Sequence, residues 1–371
     1  MLFYQKNYIK GSVDMEPLLH CYSTVHNTYY GNTVDVNDLF SGTGKKTCYR
    51  FIKDYFKHGE KEKVFSFDFY DEYKKEGKHV HTVSLFFMGM YLGGIFDSLI
   101  QNKLSELINI SAWYDYEYTW FLTCFYHDAA SCIEKTRMPL NTSNSQKQLD
   151  FYLGNFNINY TPYNYVPQKY GVCLTRFSEQ LIKNYFFYRA DSGNCEHGII
   201  GGYLLFDRFV KNFYKHTKNH NFDWEHCFCD GRLNWREEHL DHAAYISDAI
   251  ICHNIWLNKN KDLYESYGLS PLIEEEKNKL SFAEHPLQFI LCLLDTIEPT
   301  KRFEELPSKV VLESIGIEII APTSIKIYWK SELQEEKNFL RWKDGIVNLK
   351  DWMKVETKEE GSFIIIEWQT H

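Results

Sequence analysis

Apolar residues recur along the middle of this chain at three- and four-residue spacing, the period of a helix with one buried face. From His79 to Ile108, Val83, Phe86, Phe87, Met90, Tyr91 and Ile95 form a stripe, and Gly93-Gly94 permits close packing or a bend. A second helix is expected over about 116–133, with Leu122, Phe125, Tyr126 and Ala129 on its apolar face. Helical character returns at about 174–189 and breaks at Asp191-Ser192-Gly193-Asn194. Asn194 then reads as the N-cap of a helix running to about Tyr214, with His197 at its third position. Two more helices follow. One covers about 235–257, with Ala243, Ile246, Ala249, Ile250 and His253 on one side; the other covers about 284–297 and is closed by Pro299.

The helical period fails in three places. Residues 1 to about 60 are mixed and polar, with turn signals at Gly31-Asn32 and Ser41–Gly44, and predict short helices and loops. Residues 138–170, rich in Asn, Tyr, Pro and Ser, read as a long irregular insertion of the kind that forms lids or binding loops. After residue 305, Val310–Leu312, Ile317–Ile320, Ser324–Trp329 and Ser362–Trp368 are strand-like, with a helical stretch at 331–343 between the last two. The expected architecture is mainly α. A helical body over 61–304 follows an N-terminal extension, 1–60, and precedes a small α+β appendage, 305–371. No internal repeat is visible.

Composition narrows the function classes. Of 371 residues, 44% are hydrophobic and 25% charged, ordinary for a soluble globular chain, and 17% are aromatic, which predicts a well-packed interior. A net charge of -9 argues against broad binding to a nucleic-acid backbone, which needs a basic face. A small anionic substrate remains open if metal ions supply local positive charge. The ten cysteines form no Cys-x-x-Cys pair, and the start, Met1 to Lys6, lacks the apolar core of a signal peptide. A reduced, cytoplasmic setting is expected. The longest apolar run, Val83–Phe96, is shorter than the roughly 20 residues that span a bilayer, so no membrane segment is expected.

The candidate chemistry lies in polar residues set into apolar helices. His127-Asp128 ends an apolar face, where an unpaired carboxylate costs several kcal/mol or takes up a proton. A divalent cation would satisfy both groups. His81, His197, His253 and Asp295 have similar settings, and Asp295, between Leu291–Leu294 and Thr296-Ile297, is the hardest to explain otherwise. Each alone has a structural alternative. His81 competes with His79, His197 could be a first-turn residue, and His253 a hydrogen-bonded core histidine.

Together, in order, His81 … His127-Asp128 … Asp295 resembles the motif of the HD superfamily of metal-dependent phosphohydrolases, over about residues 79–302. His197 and His253 match the two extra histidines of its binuclear branches. The resemblance implies two divalent metal ions (Mn, Fe, Zn or Mg). His81, His127 and Asp295 would hold one, His197 and His253 the other, with the catalytic Asp128 bridging both and a bridging hydroxide as nucleophile. It implies hydrolysis of a nucleotide-like or other small phosphorylated substrate, as phosphohydrolase or phosphodiesterase. Some relatives use the same ligands as a di-iron oxygenase, and a non-catalytic regulatory module is a third reading. The chain departs from a common pattern in following the doublet with Ala129-Ala130-Ser131 rather than Ile-Gly-Lys, so that lysine is missing.

Lys301 and Arg302, beyond Pro299, are candidates to hold a phosphate at the site mouth, or are solvated linker charges. Glu196 and Asp248 are candidates to orient the imidazoles. His226-Cys227-Phe228-Cys229-Asp230 lacks a complete zinc set. His239 and His242 could add a ligand, but their acidic neighbours suggest an exposed face.

Overall fold

The computed structural model describes residues 16–29, 35–41, 45–57, 78–108, 116–131, 145–165, 175–217 and 237–370. Its centre is the long helix His79–Ile108. The helices before it are α1 (Leu18–Tyr29), α2 (Val36–Phe40) and α3 (Lys45–Lys57), which makes the central one α4. Val83, Leu85, Phe86, Phe87, Met88 and Met90 are all buried, so the stripe read from sequence is in fact a fully enclosed first half. A helix that is apolar all round has neighbours all round. Here α1, α3 and α5 (Tyr116–His127) all pack on α4. The stretch His79–Asp97 is long and apolar enough to cross a membrane by length and composition, contrary to the count above. Most of it is buried inside the helical body.

Two glycines set the α4–α5 distance. A Cβ on Gly89 would sit 2.0 Å from Trp120 Nε1, and one on Gly93 would sit 2.8 Å from the Tyr116 ring. The space goes to hydrogen bonds: Trp120 Nε1 donates to Phe86 O at 3.2 Å and Tyr116 Oη to Gly89 O at 3.1 Å. Gly93 thus serves close packing.

The remaining helices are α6 (Ser145–Asn155), α7 (Pro162–Tyr165), α8 (Glu179–Asp191), α9 (His197–Thr217), α10 (Glu237–Cys252), α11 (Lys261–Ser266), α12 (Pro286–Ile297), α13 (Ser308–Ser314) and α14 (Phe339–Val347). Helix α9 packs along α10 and against α5, while α10 also contacts α5, α4 and α12. The α9 contact needs Gly201 and Gly202: added Cβ atoms would lie 2.6 Å from Tyr126 O and 2.7 Å from Ser247 O. Those carbonyls belong to helices and cannot swing aside.

The appendage is a four-stranded antiparallel sheet, ordered β1 (Ile315–Ala321), β2 (Ser324–Trp329), β4 (Phe363–Trp368), β3 (Val355–Glu360). It is fixed to the helices by Trp368, whose ring meets Phe96, Phe282 and Phe289. On the N-terminal side, Pro17 bridges Gly316 and Tyr328 Oη donates to Glu16 O. The mainly α architecture with a small β appendage is as expected.

Several elements differ from expectation. Val310–Leu312 lies in helix α13, not a strand; Pro307 precedes it, and α13 packs on α1. Strand β3 carries no strand-like apolar pattern, because its sequence, Val355-Glu-Thr-Lys-Glu-Glu360, is that of a charged edge strand with one buried residue. The insertion carries α6 and α7, although only Leu149 and Tyr152 are buried in α6, too narrow a stripe to read. The rest of it, at 138–144 and 166–170, lies outside the described residues. Helix α5 stops at His127, with Asp128–Ser131 forming a turn. Asn194 is no N-cap: its N–H closes the end of α8 on Arg189 O, and α9 begins at His197 itself.

We expect Gly201→Ala to destabilise the protein by about 1–3 kcal/mol, the range for overpacking a close contact. Urea unfolding of the variant beside the parent measures it.

Candidate metal centre

The central helices converge at one end. His81 lies in the first turn of α4, His127 ends α5, and Asp128 opens the following turn. His197 is the first residue of α9, His253 follows the last of α10, and Asp295 sits in the final turn of α12. His81, His127 and Asp128 are buried, each with one donor atom within 4.8 Å of the others, and this group could hold a metal ion.

The structure brings the other three beside it. Asp295 Oδ1 is 3.0 Å from His81 Nε2 and 3.4 Å from His127 Nε2. Asp128 faces two ways: Oδ2 lies 3.7 and 3.6 Å from the Nε2 atoms of His81 and His127, and Oδ1 lies 3.2 Å from His197 Nε2. The His253 ring is 5.4 Å from both the His127 and His197 rings. Gly198 makes this possible, since a Cβ there would meet His253 Cε1 at 2.8 Å. His79, the rival of His81, instead sets its ring edge-on to Tyr49 at 5.5 Å.

The outward nitrogens fix the tautomers. His127 Nδ1 donates to Cys124 O at 2.7 Å and His253 Nδ1 to Ile250 O at 2.6 Å. A carbonyl only accepts, so both rings carry their proton on Nδ1 and turn a lone pair inward at Nε2. His81 Nδ1 is 2.6 Å from Glu298 Oε2. Burial opposes ionisation of Glu298, but His81, Ser84 and the Thr300 N–H outweigh it and keep its carboxyl below the usual range. An ionised Glu298 accepts, so His81 too has its Nδ1 protonated.

The Nε2 atoms of His81 and His127 then meet at 3.2 Å, beside an acidic oxygen of Asp295. Two lone pairs and a carboxylate converge on one point, which only a proton or a cation can occupy. The His81 ring shows the same demand. Burial and Lys301 push its pKa down, yet Glu298 and Asp295 prevail and raise it. Asp128 and Asp295 are held well below the carboxylate range despite burial, Asp128 by His127, Lys78 and His197, Asp295 chiefly by Lys301 and then the two histidines. Burial, followed by His127 and His197, drops His253 to about 3, so it stays neutral and ready to ligate. The donor set of imidazole nitrogens and carboxylate oxygens suits manganese, iron or zinc, and magnesium less well.

Glu298, missed from sequence, is the carboxylate that orients an imidazole. Its place was a usable signal, because it caps the helix three residues after Asp295 and its N–H still closes on Leu294 O. Ser84 Oγ donates to Glu298 Oε1 at 2.6 Å and lies 3.1 Å from Tyr22 Oη, so a buried line runs from α1 to His81. Trp342 Nε1 donates to Ile297 O at 3.1 Å, tying α14 to the end of α12. Of the two residues expected in the orienting role, Asp248 acts elsewhere, accepting the Arg176 N–H at 3.1 Å. Glu196 accepts the Gly198 N–H at 3.4 Å, beside the Arg189 guanidinium.

Two lysines flank the carboxylates. Lys301 pairs with Asp295, and Lys78, unremarked in the sequence, has Nζ 3.3 Å from Asp128 Oδ2. Arg302 is half-buried on the same turn and makes no ion pair among the described residues. His239 and His242 are not on an exposed face: both are buried, and His242 Nε2 is 2.8 Å from Thr119 Oγ1. The His226–Asp230 cluster lies outside the described residues. No protein-family model, curated protein or solved structure matches the chain.

We expect Glu298→Gln to weaken Mn2+ binding about 10–100-fold, the usual effect of removing a carboxylate behind a ligating histidine. Metal must displace the His81 proton, so parent affinity should fall as pH drops through the raised His81 value. In the variant that fall should move to lower pH, and calorimetric titrations across pH test both.

Proposed function

We propose that the protein is a metal-dependent phosphohydrolase or phosphodiesterase acting on a nucleotide-like or other small phosphorylated substrate. The observation that carries this reading is the convergence of His81 and His127 Nε2 lone pairs on Asp295, with Asp128 reaching His197 through its other oxygen. His81, His127 and Asp295 would hold one cation and His197 and His253 a second, with Asp128 facing both through its two oxygens. Divalent ions bound there would supply a water of lowered pKa and positive charge for the phosphoryl oxygens. The chain's residues do the rest. Glu298 and the carbonyls of Cys124 and Ile250 keep the imidazoles in the ligating tautomer. Asp128, kept ionised by its surroundings, is free of the proton that would block bridging. The ordered motif His81 … His127-Asp128 … Asp295, with its resemblance to the HD superfamily, points to phosphate ester hydrolysis.

Metal analysis of the purified protein, with a screen of nucleotides, cyclic nucleotides and phosphate monoesters, tests the proposal. Asp128→Ala should lose most bound metal and reduce any phosphate release to background. Unchanged metal content and activity would refute it, and oxygen consumption by an iron-loaded protein would favour the di-iron oxygenase instead.

A further inference from the structure

We propose that Lys78 and Lys301 form an anion clamp released by metal binding, and that it holds a dianionic phosphoryl group, making the substrate a phosphate monoester. This rests on the metal-dependent reading above. Each ammonium touches the oxygen that faces the imidazole nitrogens. Lys78 Nζ is 3.3 Å from Asp128 Oδ2, the atom 3.7 and 3.6 Å from the Nε2 atoms of His81 and His127. Lys301 Nζ pairs with Asp295 Oδ1, which lies 3.0 and 3.4 Å from the same nitrogens. Ammonium and metal therefore compete for the same lone pairs, and the lysines are the counter-ions that a metal displaces.

Their next partner follows from charge and reach. Asp128, Asp295 and Glu298 carry three negative charges against the two lysines' positive ones. Two divalent ions turn this small negative balance into a positive surplus of three, and a dianion cancels more of it than a monoanionic diester does. Lys78 directly precedes α4, Lys301 lies on the turn after α12, and their side chains are 32% and 15% exposed. Flexible four-carbon stems let both ammoniums leave the carboxylates while the helices stay in place. Lys78 also supplies a cation beside Asp128, where the turn Ala129-Ala130-Ser131 has none.

The test is Mn2+ titration of the whole protein at about pH 8, where inorganic phosphate is mostly the dianion. It is run alone, with inorganic phosphate, and with dimethyl phosphate as the diester probe. Inorganic phosphate should tighten Mn2+ binding about 5–150-fold, the ordinary range of coupling between sites, and dimethyl phosphate far less. Lys78→Gln and Lys301→Gln should each bind Mn2+ at least as tightly as the parent without phosphate, because a competing cation is gone, yet lose most of the phosphate effect. A general loss of fold would weaken both. The inference is overturned if Mn2+ binds but phosphate leaves its affinity unchanged, if dimethyl phosphate couples as strongly, or if both variants keep the full effect. No Mn2+ binding by the parent would remove the metal-dependent reading itself, and the clamp with it.

Discussion

Inward-facing lone pairs that need a positive charge between them are the constraint on which the rest depends. His81 and His127 cannot turn their rings away, because Glu298 and the Cys124 carbonyl hold the opposite nitrogens. Leaving such groups buried and unmatched costs several kcal/mol, so a cation, or a proton in its place, is part of the fold's electrostatic balance. The helices must then cross closely enough to bring His197 and His253 alongside, and the glycines of α9 provide that closeness. Packing and chemistry meet at Gly198, which touches the ring of a candidate ligand.

The helical body and the candidate ligands were legible for one reason: both are deviations from a strong background. An apolar period marks a buried helix, and a histidine or aspartate set into it stands out. Asp295 was conspicuous among leucines, and it lies 3.0 Å from His81. Glu298 was less visible because it sits past the last apolar turn, next to a proline, where acids are common on surfaces. Lys78 could not be found at all. Its role comes from proximity to Asp128 across two elements, and nothing local distinguishes it from a solvated lysine.

Elsewhere the background was weak. Strand β3 reads as a charged linker because its side chains are mostly exposed and its order comes from backbone pairing with β4. Val310–Leu312 has the composition of a strand, yet contact with α1 makes it helical, a tertiary effect overriding local propensity. His239 and His242 misled in the opposite sense: acidic neighbours suggested solvent, but Asp241 is itself buried. Charge in a sequence is a poor guide to exposure when the helix carrying it is enclosed.

The line from Tyr22 through Ser84 and Glu298 to His81 joins the first described helix of the chain to its buried chemistry. Linkage is reciprocal: what strengthens one end of a coupled pair strengthens the other by the same free energy. Seating of α1 and orientation of the His81 ring are therefore coupled through Ser84 and Glu298. A displacement of that helix would reach His81 through Ser84 and Glu298, without touching a single candidate ligand.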